Sequence, residues 1–353
     1  MRYDLSTKIN KIHKISLILC GIFADLSAMT KFSAESEASD ASHAKIGVTL
    51  LNGLFGCLGS LPLKVLYGIS DFVSFMAGRV VGYRRKVIRQ NLESAFPEKN
   101  IDELRRIEKN FYRFLADYFV ETLRLGRMSE KEARRRMRFN GMDQIRKSLE
   151  DGRNVSLYLG HYCNWEWLST IPIHLRDSGA ATGQIYHPLE NEASDRAFLK
   201  IRGHFGATSI RMADTLPTLL KWKKDGRPSI TGYIADQVPL LNGVHLFVDF
   251  LNHDTPVFTG PERLSRMLHS EVYYCDIVRP KRGEYECTFR KIADDASGLP
   301  QFELTQRYFA LLEESIRSKP EYWLWSHRRW KRTRENFYSY FGEEVADKML
   351  SRL

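Results

Sequence analysis

Hydrophobic and polar positions change their rhythm three times along the chain. Residues 46–83, IGVTLLNGLFGCLGSLPL followed by KVLYGISDFVSFMAGRVVGY, are almost continuously apolar. Charge enters only at Lys64, Asp71 and Arg79, and the basic cluster Arg84, Arg85, Lys86 and Arg89 follows directly. Glycines and Pro62 argue against one long straight soluble helix. Cations beside an apolar segment mark the cytoplasmic side of a membrane anchor, so the stretch is expected to be an anchor or an interfacial hairpin. Residues 84–138 keep a 3.6-residue period. Pro97 closes a first helix, and a second spans Ile101–Leu125, with Ile107, Phe111, Phe114, Leu115, Tyr118, Phe119 and Thr122 on one face and Arg105, Arg106, Lys109 and Arg113 on the other.

From residue 139 short apolar runs alternate with helical periods. Strands are expected at Asn154–Leu159, Thr182–His187, Ala207–Arg211, Pro228–Ala235, His245–Leu251, Glu271–Val278 and Glu284–Arg290. Helices are expected at Asn164–Leu175, Asp195–Phe205, Asp214–Lys224 and Leu304–Ser318. Such alternation predicts an α/β fold with a mixed, mostly parallel central sheet flanked by helices. Five divisions follow: a leader, 1–45; the anchor, 46–83; a basic helical segment, 84–138; an α/β core, 139–335; and a C-terminal tail, 336–353. The leader has a basic start (Lys8, Lys11, Lys14), an apolar run Ile15–Phe23 too short to span a bilayer, and then the polar stretch SAESEASDASHAK.

Composition adds a sign. In 353 residues, 43% hydrophobic and 27% charged, there is enough apolar material for a sizeable core, which excludes a disordered or collagen-like chain. A mean hydropathy of -0.37 excludes a polytopic membrane protein. The 53 Lys+Arg against 43 Asp+Glu leave +10, which calls for an anionic partner. Residues 84–138 and 317–334 carry most of the surplus, and the second is laced with Trp323, Trp325 and Trp330. Trp with Arg is the composition of a membrane interface. No nucleic-acid-binding motif accompanies it, so no nucleic acid is expected. The five cysteines form no CxxC pair, so neither a structural zinc site nor a disulfide framework is expected, and a reducing compartment fits.

The segment Tyr158–Trp167, YLGHYCNWEW, concentrates the chemistry. An apolar strand runs into Gly160, then His161, then a helix start. Ligand sites of open α/β sheets gather at the carboxyl ends of strands. On a regular helix His161 and Glu166 would point about 140° apart, so they can meet only if His161 precedes the helix. A carboxylate beside an imidazole fixes its tautomer, and the imidazole then serves as general base on a hydroxyl. Cys163 is read as a small buried bystander. Asp236 and Gln237 follow another strand and suit either a site or a turn. Thr259-Gly260-Pro261-Glu262 starts a helix whose N-terminus could hold an anion.

GHYCNWEW resembles the Gly-His-x-x-Asn-Trp-Glu signature of the bacterial lipid A biosynthesis (late, secondary) acyltransferases, within the lysophospholipid acyltransferase superfamily. Five further stretches resemble that family's blocks in the same order: IYHPLENEASDR (185–196), DTLPTLLKWKKDG (214–226), IADQVP (234–239), FVDFLNHDTPVFTGPERLSRM (247–267) and PEYWLWSHRRWKR (320–332). The likeness covers about residues 50–335. His187 stands where the family commonly has Arg, and VPLLNGVH replaces its more usual sequence after Ala-Asp-Gln.

The resemblance implies transfer of a fatty acyl chain from an acyl carrier protein (or CoA) thioester to a hydroxyl of a lipid A precursor. It implies no cofactor and no metal, and places the catalytic domain on the cytoplasmic face of the inner membrane. His161 and Glu166 match the His-x4-Asp/Glu hallmark as base and partner. Asn164, Arg196, Asp236, Gln237, Gly260, Arg263 and Arg279 fall in or beside matched blocks and become candidates for substrate contacts. The departures leave room for a lysophospholipid or aminolipid acceptor, and the fold alone for a non-catalytic membrane scaffold.

Overall fold

The computed structural model describes residues 53, 55–189 and 191–352. The expected leader lies outside these residues, as do 46–52 and 54 of the expected anchor.

In the described part of the apolar stretch residues 55–60 are helical, and after Pro62 comes a helix, α1 (Leu63–Phe75), running into a π-helical turn Met76–Val81. Gly82 at φ 65° ends that turn, and α2 (Arg85–Ala95) leaves at 90°. Among the described residues no single helix is long and apolar enough to cross a membrane; only this bent pair has the length and composition. Leu63, Leu66 and Val73 face the protein, whereas Val65, Phe72, Phe75, Val80 and Val81 are exposed.

The long helix α3 (Ile101–Leu125) begins with an Asn100–Glu103 capping box, which satisfies orphan N–H groups. Its apolar stripe is buried as its period requires, and Arg105, Arg106, Lys109 and Arg113 are exposed. Some of the basic surplus is spent internally: Arg85 and Arg89 flank Glu108, and after the helix α4 (Glu130–Arg136) begins, Arg124 and Arg136 flank Glu132.

The core is an α/β structure. Its seven-stranded sheet has the order β1-β9-β8-β2-β5-β3-β4, with β1 Met137–Asn140, β2 Val155–Leu159, β3 Ala181–Tyr186, β4 Thr208–Arg211, β5 Ser229–Ile234, β8 Glu271–Lys281 and β9 Glu284–Ala293. Every neighbouring pair is parallel except β8–β9. Helices α5 (Met142–Glu150), α6 (Glu192–Arg202), α7 (Thr215–Lys224), α8 (Gly260–Met267) and α9 (Glu303–Ser318) connect and flank the strands. Strand β2 is buried throughout, as expected of a central parallel strand covered on both faces.

Four elements depart from the sequence pattern. The segment after His161 is a 3-10 helix, Trp165–His174, with Pro172 near its end. The residues 253–257 form a strand, β7, paired with β6 (Leu246–Phe250) through a two-residue turn in which Leu251 and Asn252 both take positive φ. Pro256 hid β7, because proline is tolerated only in strands with a free edge. Residues 336–352 are mostly helical, α10 (Arg334–Phe341) and α11 (Glu343–Leu350), and pack Phe337 and Ala346 against Val244. The segment 320–332, whose Trp and Arg suggested a membrane interface, is instead a strap through the core: Trp323, Trp325, His327 and Arg329 are buried.

Candidate active site

Strands β2 and β5 lie side by side with Leu159 opposite Ile234, so the residues that follow each emerge together. Gly160 allows a tight approach: a Cβ there would sit 2.7 Å from Leu312 and 3.3 Å from an Asp236 carboxylate oxygen. The next residue, His161, is buried and points its Nδ1 at Asp236 Oδ1, 2.7 Å away. Its backbone N–H donates to Asp236 Oδ2 at 2.9 Å, and the Trp323 indole donates to the same oxygen at 2.8 Å. A carboxylate only accepts, so the proton of the neutral imidazole sits on Nδ1 and Nε2 carries the lone pair. The Gln237 amide lies 3.2 Å from Nε2 and donates to it. Burial alone would raise Asp236, but His161 and Trp323 outweigh it and hold the carboxyl below its usual range.

The imidazole's carboxylate is therefore Asp236, 75 residues away, and not Glu166. Glu166 is buried and taken up by Arg202 in a two-point contact, Nε to Oε2 at 2.8 Å and Nη2 to Oε1 at 2.6 Å, with the Tyr118 hydroxyl donating at 3.2 Å. Burial pushes Glu166 up, yet Arg202 wins and its carboxyl lies below the usual range. The reason is geometric: the chain between the two residues turns sharply, with Cys163 at φ 55°, and directs Glu166 toward α6. Trp165 fills the space between, its ring edge-on to His161 at 5.0 Å and stacked on Tyr118 at 4.3 Å.

The turn is pinned from two sides. Cys163 N–H donates to Tyr322 O at 2.9 Å, and Tyr162 bridges Trp323. Asn164 donates to Glu121 Oε2 on α3 at 2.8 Å, while its own carbonyl oxygen is buried with no partner among the described residues. Burial pushes the Cys163 thiol well up, which keeps it from serving as a thiolate nucleophile.

The other candidates scatter. Arg279 is held by Asp117 (2.8 Å) and Glu121 (3.2 Å) and lies over the Phe114 and Tyr285 rings, so it braces α3 against β8. Arg196 is exposed on α6 and paired with Glu192. Gly260 and Arg263 are exposed at the start of α8, and the buried acid of that first turn, Glu262, accepts from Phe302 N, Thr305 N and the Thr305 hydroxyl. Of the nine candidates the structure gathers His161, Asp236 and Gln237, with Asn164 and Glu166 just beneath. Sequence reasoning missed Arg202 and Trp323. Each lay inside a matched block or its adjacent helix, but nothing in the linear pattern distinguished it from a surface cation or an interfacial ring.

Geometrically this is a histidine at the carboxyl end of a central parallel strand, backed by a buried carboxylate and with Nε2 held only by a side-chain amide, an arrangement suited to acid–base chemistry. The chain belongs to the bacterial lipid A biosynthesis acyltransferase family, whose model matches residues 34–332. It is similar to the lipid A biosynthesis palmitoleoyltransferase of Escherichia coli (strain K12), at 23% identity over 77% of this chain and 86% of that one. It is equally similar to a lipid A biosynthesis acyltransferase of Shigella flexneri, with the same identity and coverage. A third relative is the lipid A biosynthesis lauroyltransferase of E. coli (strain K12), 23% identical over 82% of this chain and 93% of that one.

Proposed function

We propose that the protein transfers a fatty acyl chain from a carrier-protein or CoA thioester to a hydroxyl of a lipid A precursor, at the cytoplasmic face of the inner membrane. The observation that carries the mechanism is the His161 Nε2 lone pair, set by Asp236 on the opposite nitrogen. An acceptor hydroxyl takes the place of the Gln237 amide and gives its proton to Nε2. The oxygen attacks the thioester carbonyl, and the tetrahedral oxyanion collapses, breaking the C–S bond. The thiolate leaves with the proton returned from the imidazolium, so ester and thiol are the products and no acyl-enzyme forms. Asp236 stabilises the imidazolium in between. The Glu166–Arg202 pair and Tyr118 hold Trp165 as the wall of the imidazole's slot.

Membrane attachment is assigned to the α1–α2 hairpin. Its exposed Val65, Phe72, Phe75, Val80 and Val81 sit beside Lys64, Arg79 and Lys86, the composition of an interfacial element on anionic lipid.

The test is incubation of the purified protein with an acyl carrier protein thioester and a tetra-acylated lipid A precursor, read by mass spectrometry. One added chain is expected, with loss of about 10²–10⁴-fold in His161→Ala. Wild-type rates in that variant would overturn the mechanism. Acylation of a lysophospholipid with the precursor untouched would transfer the reaction to another acceptor.

A further inference from the structure

Three apolar side chains stand in water on α7 and the turn that leads into it. Met212, Leu216 and Leu220 recur every four residues, so they line one side, and they are 50%, 44% and 44% exposed. Cations frame the stripe. Lys221 and Lys224 are exposed and form no ion pair among the described residues, while Lys223 donates to Met267 O of α8 at 3.4 Å. From Arg211 to Arg227 five Lys and Arg stand against two Asp, so the patch is positive. The two acids, Asp214 and Asp225, sit at the ends of α7 and leave the flank of the stripe basic.

Strand register fixes where this patch lies relative to His161. Leu159 is level with Ile234, and Gln184 with Gly232, which brings Tyr186 level with Ile234. Tyr186 pairs in turn with Arg211. The carboxyl ends of β2, β5, β3 and β4 therefore form one line, and Met212 begins where β4 stops. Three steps of about 4.8 Å put the end of β4 about 14 Å from the end of β2.

The same sheet separates α7 from the hairpin. Gly183 and Gln184 are successive in β3 and so face opposite ways. A Cβ on Gly183 would sit 3.1 Å from Trp222 of α7, whereas the Gln184 amide donates to Arg202 O of α6 at 3.3 Å. Tyr118 of α3 and Arg202 of α6 meet at Glu166, and α1 rests on α3 through Tyr67–Glu121 and Ser70–Asp117. The hairpin and α7 thus lie on opposite faces of the sheet.

We propose that the Met212–Leu216–Leu220 stripe, with Lys221 and Lys224, docks the body of an acidic carrier protein that bears the acyl thioester. A carrier holds its thioester on a flexible arm, so its body must dock a short way from the base. The patch stands at such a distance, on the line of strand ends that leads to His161. The apolar side chains supply the contact, and the lysines steer and orient acidic side chains of the partner. The charge sign selects an acidic surface, and the bilayer is already assigned to the other face. Donor and acceptor lipid then reach His161 from opposite sides and do not compete for one entrance.

The inference rests on the thioester donor proposed above, and its test separates the two. Labelled acyl carrier protein, loaded with a fatty acyl thioester, is titrated with the full chain by fluorescence anisotropy. Turnover is measured with the carrier-protein and CoA thioesters of the same acyl chain. Lys221→Glu with Lys224→Glu is expected to raise Kd and KM for the carrier about tenfold or more, with unchanged melting and with KM for acyl-CoA kept within about twofold. Leu216→Ser with Leu220→Ser is expected to weaken carrier binding similarly while keeping its salt dependence. Carrier affinity within about twofold of wild type in both folded pairs overturns the proposal. So does an equal rise in KM for acyl-CoA, which gives the patch to a small anionic donor. Loss of anionic-vesicle binding by the lysine pair with carrier affinity intact overturns it too, and gives the face to lipid. If wild type binds the carrier on this face yet transfers no chain, the proposed reaction fails and the docking surface stands.

Discussion

Two polar nests meet at the turn 161–166 and are built on opposite terms. Beneath the turn, Glu121 accepts from Tyr67, Asn164, Tyr285 and Arg279, and Asp117 accepts from Ser70, Arg279 and Arg282. Both carboxylates of that nest have their acceptor sites filled, and it locks α1, α3, β8 and β9 together. Above the turn, the His161 nest is left incomplete: Nε2 holds only a side-chain amide, and the strap beside it carries His327 Nδ1 and two Arg329 nitrogens that have no partner among the described residues. The lower nest also leaves Asn164 Oδ1 and Arg279 Nε without a partner among the described residues, so the contrast lies in its carboxylates, which are fully occupied and rigidify it, whereas the upper nest leaves its central imidazole nitrogen with only an amide.

The largest expected effect separates the two carboxylates nearest the histidine. Asp236→Asn should cut kcat by about 10³–10⁴-fold with the fold retained, because the ring loses its tautomer control. Glu166→Gln should act chiefly on stability, since Arg202 is left buried with a neutral partner. If Glu166→Gln proves the more damaging to kcat in protein of normal melting behaviour, the comparison collapses.

The lower nest should break differently. Arg279→Met removes the cation shared by Asp117 and Glu121 and should destabilise the protein by about 3–5 kcal/mol in denaturant titration, with activity per folded molecule kept within a few fold. A specific activity lost together with an unchanged unfolding midpoint would place Arg279 at the substrate after all.

Much of this was legible beforehand, and the failures share a cause. The burial of β2, the stripe of α3 and the Gly-His step at the strand end follow from local periodicity, which a linear sequence displays. The partner of His161 does not. A spacing of five residues drew attention to Glu166, whereas the actual neighbour depends on the register between β2 and β5, which no local pattern encodes. The strap shows the same limit. Alternating Trp and Arg is equally compatible with a lipid interface and with indoles donating to buried acceptors, and only tertiary packing decides.

A smaller effect lies on the outer face of the hairpin, whose inner face joins the lower nest through Tyr67 and Ser70. Phe72→Asp with Phe75→Asp should weaken binding to anionic vesicles about tenfold or more in co-sedimentation, at near-constant stability, since both rings are exposed. Unchanged binding would remove the hairpin from the membrane assignment.

The smallest is a slope. Asp236 and Glu166 have folded values below the ordinary carboxylate range, so each contributes stability that is complete above the unfolded pKa of about 4 and is lost as pH falls through the folded one. Chemical denaturation between about pH 5 and 3 should show this decline, with a shallower slope in Glu166→Gln.

The strap also sets an order of assembly in time. Asp236 receives its indole from Trp323, and the turn after His161 is closed by Tyr322, so the ends of β2 and β5 are fully held only once the strap has been made. A nascent chain still held on the ribosome at residue 320 has its histidine and its carboxylate, yet lacks the pieces that fix them. On the proposed mechanism the enzyme would therefore be silent throughout its own synthesis, and a transcript broken shortly before the strap would yield an α/β body without chemistry.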